Sequence, residues 1–127
     1  MKTLAAMALA SPLLFGGPAR ADVLRLTEAD SGKSFALRQG DEVELRLPEI
    51  ASTGFVWSEA TDGAPALKAL GRASDYPHAM PGAPGVAIFR YRAQAEGAAV
   101  LSLRLARGWE TDKPPAREFS AQFEIQP

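Results

Sequence analysis

The chain has 127 residues, no cysteine and a formal net charge of −1 at pH 7. Without cysteine it can form neither a disulfide framework nor a thiolate metal site. Its 14 basic and 15 acidic residues are nearly balanced and give no basic patch for binding nucleic acid.

The first 21 residues have the layout of a secretory signal peptide. Lys2 supplies positive charge, residues 4–15 form an apolar run too short to span a bilayer, and Ala19-Arg20-Ala21 fits the cleavage site. We therefore expect cleavage after Ala21, leaving a mature domain of residues 22–127 without a membrane insertion. This domain should lie in the periplasm or outside the cell, and its length suits one modest core.

From Val23 onward, apolar and polar side chains alternate, which is the period of strands with one face exposed to solvent. Turn residues such as Asp30-Ser31-Gly32 separate the alternating segments, and no window shows a sustained helical period. Seven or eight short strands of this kind predict an antiparallel β-sandwich. Its predicted inward positions include Leu24, Leu26, Phe35, Leu37, Val43, Leu45, Leu47, Tyr91, Leu101, Leu103 and Leu105, with the bulky structural core formed by Trp57, Phe89, Phe119 and Phe123. Leu67 and Leu70 mark a less regular strand that ends near Arg72.

Three connections between predicted strands are longer than the others: residues 47–55, 76–86 and 107–117. If each strand runs opposite to the preceding one, these alternate connections lie at one end of the sandwich. The chain is thus expected to hold three loops side by side, as binding loops often are on a rigid scaffold.

Residues for catalysis are scarce. His78 is the single histidine and lies in a loop rich in Pro and Gly, so no histidine-based triad or zinc set can form. Glu110 and Asp112 have no evident partner for acid–base chemistry, and no glycine-rich loop has the setting of a phosphate site. We therefore expect no enzyme, no metal and no cofactor, but binding through loops.

Together the three loops resemble those of the chagasin family, inhibitors of papain-like cysteine proteases. That family has the motifs N-P-T-T-G-[FY]-x-W, G-x-G-G followed by an aromatic strand, and R-P-W. The first reads Ile50-Ala51-Ser52-Thr53-Gly54-Phe55-Val56-Trp57 here. The second reads Gly82-Ala83-Pro84-Gly85, with Phe89 in the next strand, and the third reads Arg107-Gly108-Trp109.

The resemblance implies an immunoglobulin-like sandwich whose three loops form a wedge in the cleft of a papain-like protease. Ser52, Thr53 and Gly54 would lie over the catalytic cysteine. Gly82, Ala83, Pro84 and Gly85 would line one wall of the cleft. Arg107, Gly108 and Trp109 would grip the other wall. The implied partner is a protease of the same cell or of a host, and a monomer is expected.

The motifs also depart from the family pattern. Ile50-Ala51 replaces Asn-Pro, Pro84 replaces a glycine and Gly108 replaces a proline. Losing Asn-Pro should leave the first loop less preorganised and lower the affinity. Two alternatives stay open at this point: Trp109 could fold back and cap the core, and the domain could be a non-inhibitory envelope module that binds another protein or a glycan through these loops.

Overall fold

Eight β-strands form most of the described chain. A computed structural model describes residues 22–77, 82–110 and 112–127, so the predicted signal peptide and His78 lie outside the described residues. The strands are β1 Val23–Thr27, β2 Lys33–Arg38, β3 Glu42–Glu49, β4 Phe55–Asp62, β5 Leu67–Asp75, β6 Gly85–Ala93, β7 Gly97–Arg107 and β8 Arg117–Gln126. Within those ranges the helical segments are short 3₁₀ turns, and none is long and apolar enough to cross a membrane.

The strands form two sheets of four, in the orders β1-β3-β6-β5 and β2-β8-β7-β4. The predicted sandwich and its number of strands are confirmed. The pairs at the centre of each sheet are antiparallel, but β1 pairs with β3 and β2 pairs with β8 in parallel. This corrects the expectation of uniformly antiparallel pairing, because alternation of side chains fixes a strand's two faces and not the direction of its neighbour.

The core lies between the sheets and contains the bulky residues that the sequence placed there. Trp57 and Phe119 are fully buried, and Phe89 and Phe123 nearly so. The strand marked by Leu67 and Leu70 is irregular, as expected: its register against β6 shifts between Ala69 and Gly71, Leu67 is buried and Leu70 is exposed. Full burial of each such aromatic or Leu side chain stabilises the fold by roughly 1.5–3 kcal/mol.

The connections at the two ends of the sandwich are held differently. At one end, short turns are tied to each other by backbone hydrogen bonds, such as Gly40 N to Ala93 O at 2.8 Å and Gln94 N to Ala66 O at 2.9 Å. The connections β3–β4, β5–β6 and β7–β8 all lie at the opposite end, as predicted.

Glu44 is a buried carboxylate on the outer face of β3, where an exposed charge was expected. Arg46 Nε donates to its Oε2 at 2.9 Å, and Arg90 Nη2 donates to its Oε1 at 3.0 Å. Arg25 lies 3.8 Å away on β1. The hydrogen bond from Arg46, helped by the charges of the three arginines, lowers the pKa of Glu44 below its ordinary value of 4.5.

We expect Glu44→Gln to destabilise the protein at neutral pH, because it removes the charge that pairs with the arginines. The loss should be only about 1 kcal/mol, since the arginines are exposed and solvent screens their charges. A carboxylate with a lowered pKa in the folded state stabilises above its unfolded pKa and loses that contribution as the pH falls through the folded value. The stability difference from the wild type should therefore shrink below pH 4.5. Denaturant unfolding of both proteins against pH tests this, with Glu42→Gln as the control for a more exposed carboxylate. A difference that stays constant into strong acid would contradict the assignment.

Candidate functional site

The first loop is a tight turn held by Thr53. A 3₁₀ turn spans Ala51–Thr53 between β3 and β4. Thr53 Oγ1 donates to the carbonyl of Ile50 at 2.6 Å and accepts from the backbone N–H of Phe55 at 3.3 Å. Thr53 thus supplies side-chain-to-backbone bonds of the kind that the absent Asn was expected to provide.

Trp109 from the third loop lies on the first loop. A Cβ atom placed on Gly54 would come within 2.5 Å of Trp109 Cη2, so the indole needs a glycine beneath it. Gly54 also has a φ of +81°, which glycine adopts without strain. Trp109 is 70% exposed, which excludes the alternative in which it caps the core.

Arg107, the last residue of β7, contacts both the first loop and Trp109 of the third loop. Its Nε donates to the carbonyl of Thr53 at 3.0 Å. Its guanidinium carbon lies 4.2 Å from the ring centre of Phe55 and 5.8 Å from that of Trp109. Glu110 lies 3.6 Å from the Arg107 guanidinium and 3.5 Å from Lys113 Nζ. The Arg107 side chain therefore contacts other residues of this protein, whereas the resemblance implied only contact with a protease.

The second loop is anchored where it enters β6. Gly85 is the first residue of β6 rather than part of the loop, and a Cβ atom there would overlap the ring of Tyr76. Tyr76 donates its hydroxyl to Glu49 Oε2 at 2.7 Å. This bond raises the pKa of Tyr76, because the phenol donates to a carboxylate. The other predicted residues are at the surface: Gly82 and Pro84 are exposed and Ala83 is half-buried.

Glu49 is a site residue that the sequence analysis missed. It is the last residue of β3 rather than part of the loop, and it is only 6% exposed. Arg72 Nη2 donates to its Oε1 at 2.9 Å. The signal was present in the alternation of β3, since Glu49 continues the inward set of Val43, Leu45 and Leu47. A charged residue at an inward-facing position of a strand needs hydrogen-bond or ion-pair partners to compensate for its burial.

The arrangement suits binding rather than catalysis. Ser52, Gly108 and Trp109 are exposed at the same end, together with the apolar side chains of Ile50 and Val56. The described residues contain no group of three or more His, Cys, Asp or Glu side chains placed to hold a metal ion. What this end offers is an exposed aromatic, apolar edges and backbone held in fixed turns.

A comparison with protein families matches residues 36–123 to the chagasin family of peptidase inhibitors, family I42. The match spans more than half of the chain and includes parts of both sheets and all three loops. The chain belongs to the chagasin family. The predicted resemblance is therefore confirmed, and the chain is a peptidase inhibitor rather than an enzyme.

Solved structures of similar fold include a cysteine protease inhibitor. The cysteine protease inhibitor EhICP2 of Entamoeba histolytica superposes with a TM-score of 0.77 at 23% identity, covering 87% of this chain and all of that one. Amebosin superposes with a TM-score of 0.65 at 21% identity, over 87% of this chain and all of that one. At these identities the likeness establishes the fold. No curated protein sequence matches the chain.

Gly54→Ala should destabilise the protein by more than about 1–2 kcal/mol, because it adds a clash with Trp109 to the strain of a positive φ. Gly40→Ala is the matched control, with a φ of +98° and nothing within 4 Å of the added Cβ. Both variants should lose stability in denaturant unfolding. Only Gly54→Ala should shift the NMR signal of the Trp109 indole N–H. Equal losses and an unmoved indole signal would show that the ring does not lie on Gly54.

Proposed function

We propose that this chagasin-family domain is a reversible, competitive, non-covalent inhibitor of papain-like cysteine proteases, with its three-loop end inserted as a wedge into the active-site cleft. The observation that carries the proposal is that side chains in the three loops and at their base hold the loops in fixed positions. Trp109 lies on Gly54, Arg107 bonds to Thr53, and Tyr76 packs on Gly85 while bonding to Glu49. Membership of a family of peptidase inhibitors supports it.

The first loop is suited to block a cleft without being cleaved. Its 3₁₀ turn and the positive φ of Gly54 keep the backbone away from the extended form that a substrate adopts in a cleft. Because Thr53 and Arg107 already fix this shape, little conformational freedom is left to lose on binding. Thr53 and Gly54 would approach the catalytic thiolate with no peptide bond in register for attack.

The two flanking loops would contact the walls of the cleft. Trp109 is a large aromatic residue that is exposed in the free protein, and its ring is already positioned against Gly54. Both properties are expected of an interface hot spot. Gly82, Ala83 and Pro84 offer backbone and small side chains to the opposite wall. The signal-peptide layout of residues 1–21 supports a target in the periplasm or outside the cell, either the cell's own protease or a host's.

The mature domain, residues 22–127, should inhibit papain or a cathepsin, with inhibition relieved by raising the substrate concentration. The reason is physical occlusion of the cleft by the three loops. Steady-state assays with a peptide substrate measure it, and recovery of active enzyme on dilution shows reversibility. Absence of inhibition of any papain-like enzyme at about micromolar protein would reject the proposal, and would favour a non-inhibitory module that binds another protein or a glycan.

Trp109→Ala should weaken inhibition by more than about 1 kcal/mol in binding free energy, because the indole is the principal exposed aromatic of the loop end. Val100→Ala is the matched control, since Val100 is an exposed apolar residue of β7 far from the loops. Its inhibition constant should equal that of the wild type. An unchanged constant for Trp109→Ala would remove the indole from the interface.

A further inference from the structure

We propose that Glu49 and Tyr76 are positioning residues that couple the second loop to the first. Both lie outside the three motifs that relate the chain to its family. The effect on inhibition rests on the proposed function, whereas the coupling itself is a property of the free protein.

Glu49 lies at the base of two loops at once. It ends β3 immediately before the first loop, and its Cα pairs with Gly85, where the second loop enters β6. Its carboxylate accepts from Tyr76 Oη at 2.7 Å, from Arg72 Nη2 at 2.9 Å and from the backbone N–H of Trp57 at 3.4 Å. These donors come from β4, β5 and the segment after β5. A carboxylate can only accept, and a buried one left without donors is costly, so all three elements are held to one point.

Tyr76 carries this constraint into the second loop. Its ring occupies the space that a side chain on Gly85 would need. The hydroxyl therefore fixes the ring from one end, and the ring sets where the chain can enter β6. If the hydroxyl lost its acceptor, the ring and Gly85 would be free to shift together.

The backbone on either side of Glu49 belongs to the hydrogen bonds that hold the first loop. Ile50, the next residue, supplies the carbonyl that accepts both the hydroxyl and the N–H of Thr53, at 2.6 and 3.1 Å. On the other side of the turn, Trp57 Nε1 donates to the carbonyl of Pro48 at 2.8 Å. The path from Gly85 through Tyr76 and Glu49 to Thr53 is thus a continuous set of contacts.

Tyr76→Phe tests the coupling with the smallest change, because the ring stays against Gly85 and only the hydroxyl donor is lost. We expect inhibition of papain to weaken about three- to tenfold. This is less than the full effect of a hydrogen bond to a charged group, because the bond is made in the free protein and only its part in placing the loop bears on binding. Tyr91→Phe is the matched control, since Tyr91 also donates its hydroxyl to a carboxylate, that of Glu59, but within the body of the sandwich. That variant should lose stability and keep the inhibition constant of the wild type.

Glu49→Leu, which keeps the approximate size of the side chain and removes both acceptor oxygens, should also weaken inhibition. If Tyr76 acts through Glu49, adding Tyr76→Phe to Glu49→Leu should cause little further loss. Fully additive effects in this double-mutant cycle would show that the two residues act independently and would overturn the proposal.

Amide NMR spectra of the free protein test the coupling without a protease. Tyr76→Phe should shift the signals of Thr53 and Gly54 in the first loop as well as those of the second loop, whereas Tyr91→Phe should leave both unmoved. Shifts confined to the second loop would overturn the coupling. A wild-type protein that fails to inhibit would instead reject the proposed function and leave these spectra as the measure of the inference.

Discussion

The last inward position of β3 is occupied by a carboxylate, at the level where the apolar core ends and the loops begin. Burying Glu49 there is unfavourable unless donors surround it, so the strands around it must bring those donors to one place. Arg72 reaches it from β5 and also donates to the carbonyl of Trp57 on β4 at 2.8 Å. One carboxylate therefore holds β3, β4 and β5 together close to the ends from which the first and second loops leave.

The topology explains why the first loop is the central one. It links β3 in one sheet to β4 in the other, while the second loop joins neighbours in the first sheet and the third loop joins neighbours in the second sheet. A connection that crosses between the sheets has a neighbour on each side. Glu49 and Tyr76 hold it to the second loop, and Arg107 and Trp109 hold it to the third. The grouping of the three loops at one end is a consequence of strand order, and the contacts between them are made by four side chains.

Much of this arrangement can be predicted from the sequence, because alternation reports burial directly. The alternating strands identified the core around Trp57 and Phe119, and strand parity placed the three loops at one end.

What alternation does not encode is pairing direction, so the parallel edges formed by β1 and β2 were missed. It also does not locate a bulge, such as the register shift in β5 next to the exposed Leu70. Charged residues were taken as exposed, yet Glu44 and Glu49 are buried. Glu44 is covered by Arg46 of its own strand and by Arg90 of β6, and Glu49 by Arg72 and Tyr76. Apart from Arg46, these partners are distant in sequence, and only the folded chain brings them together.

The departures from the family motifs do not leave the first and third loops unrestrained, because other contacts hold these loops. Asn-Pro and Pro would stiffen the first and third loops by local means, through a side chain bonded to its own backbone and a fixed φ. In this chain the same segments are held by contacts between loops, namely the Arg107 bond to Thr53 and the Trp109 ring on Gly54, and by the ion pair of Arg107 with Glu110 within the third loop. Rigidity that comes from contacts between loops is shared, so loosening one loop loosens its neighbours. Preorganisation for binding should then depend on residues outside the motifs as much as on those within them, which a comparison of motif letters alone does not register.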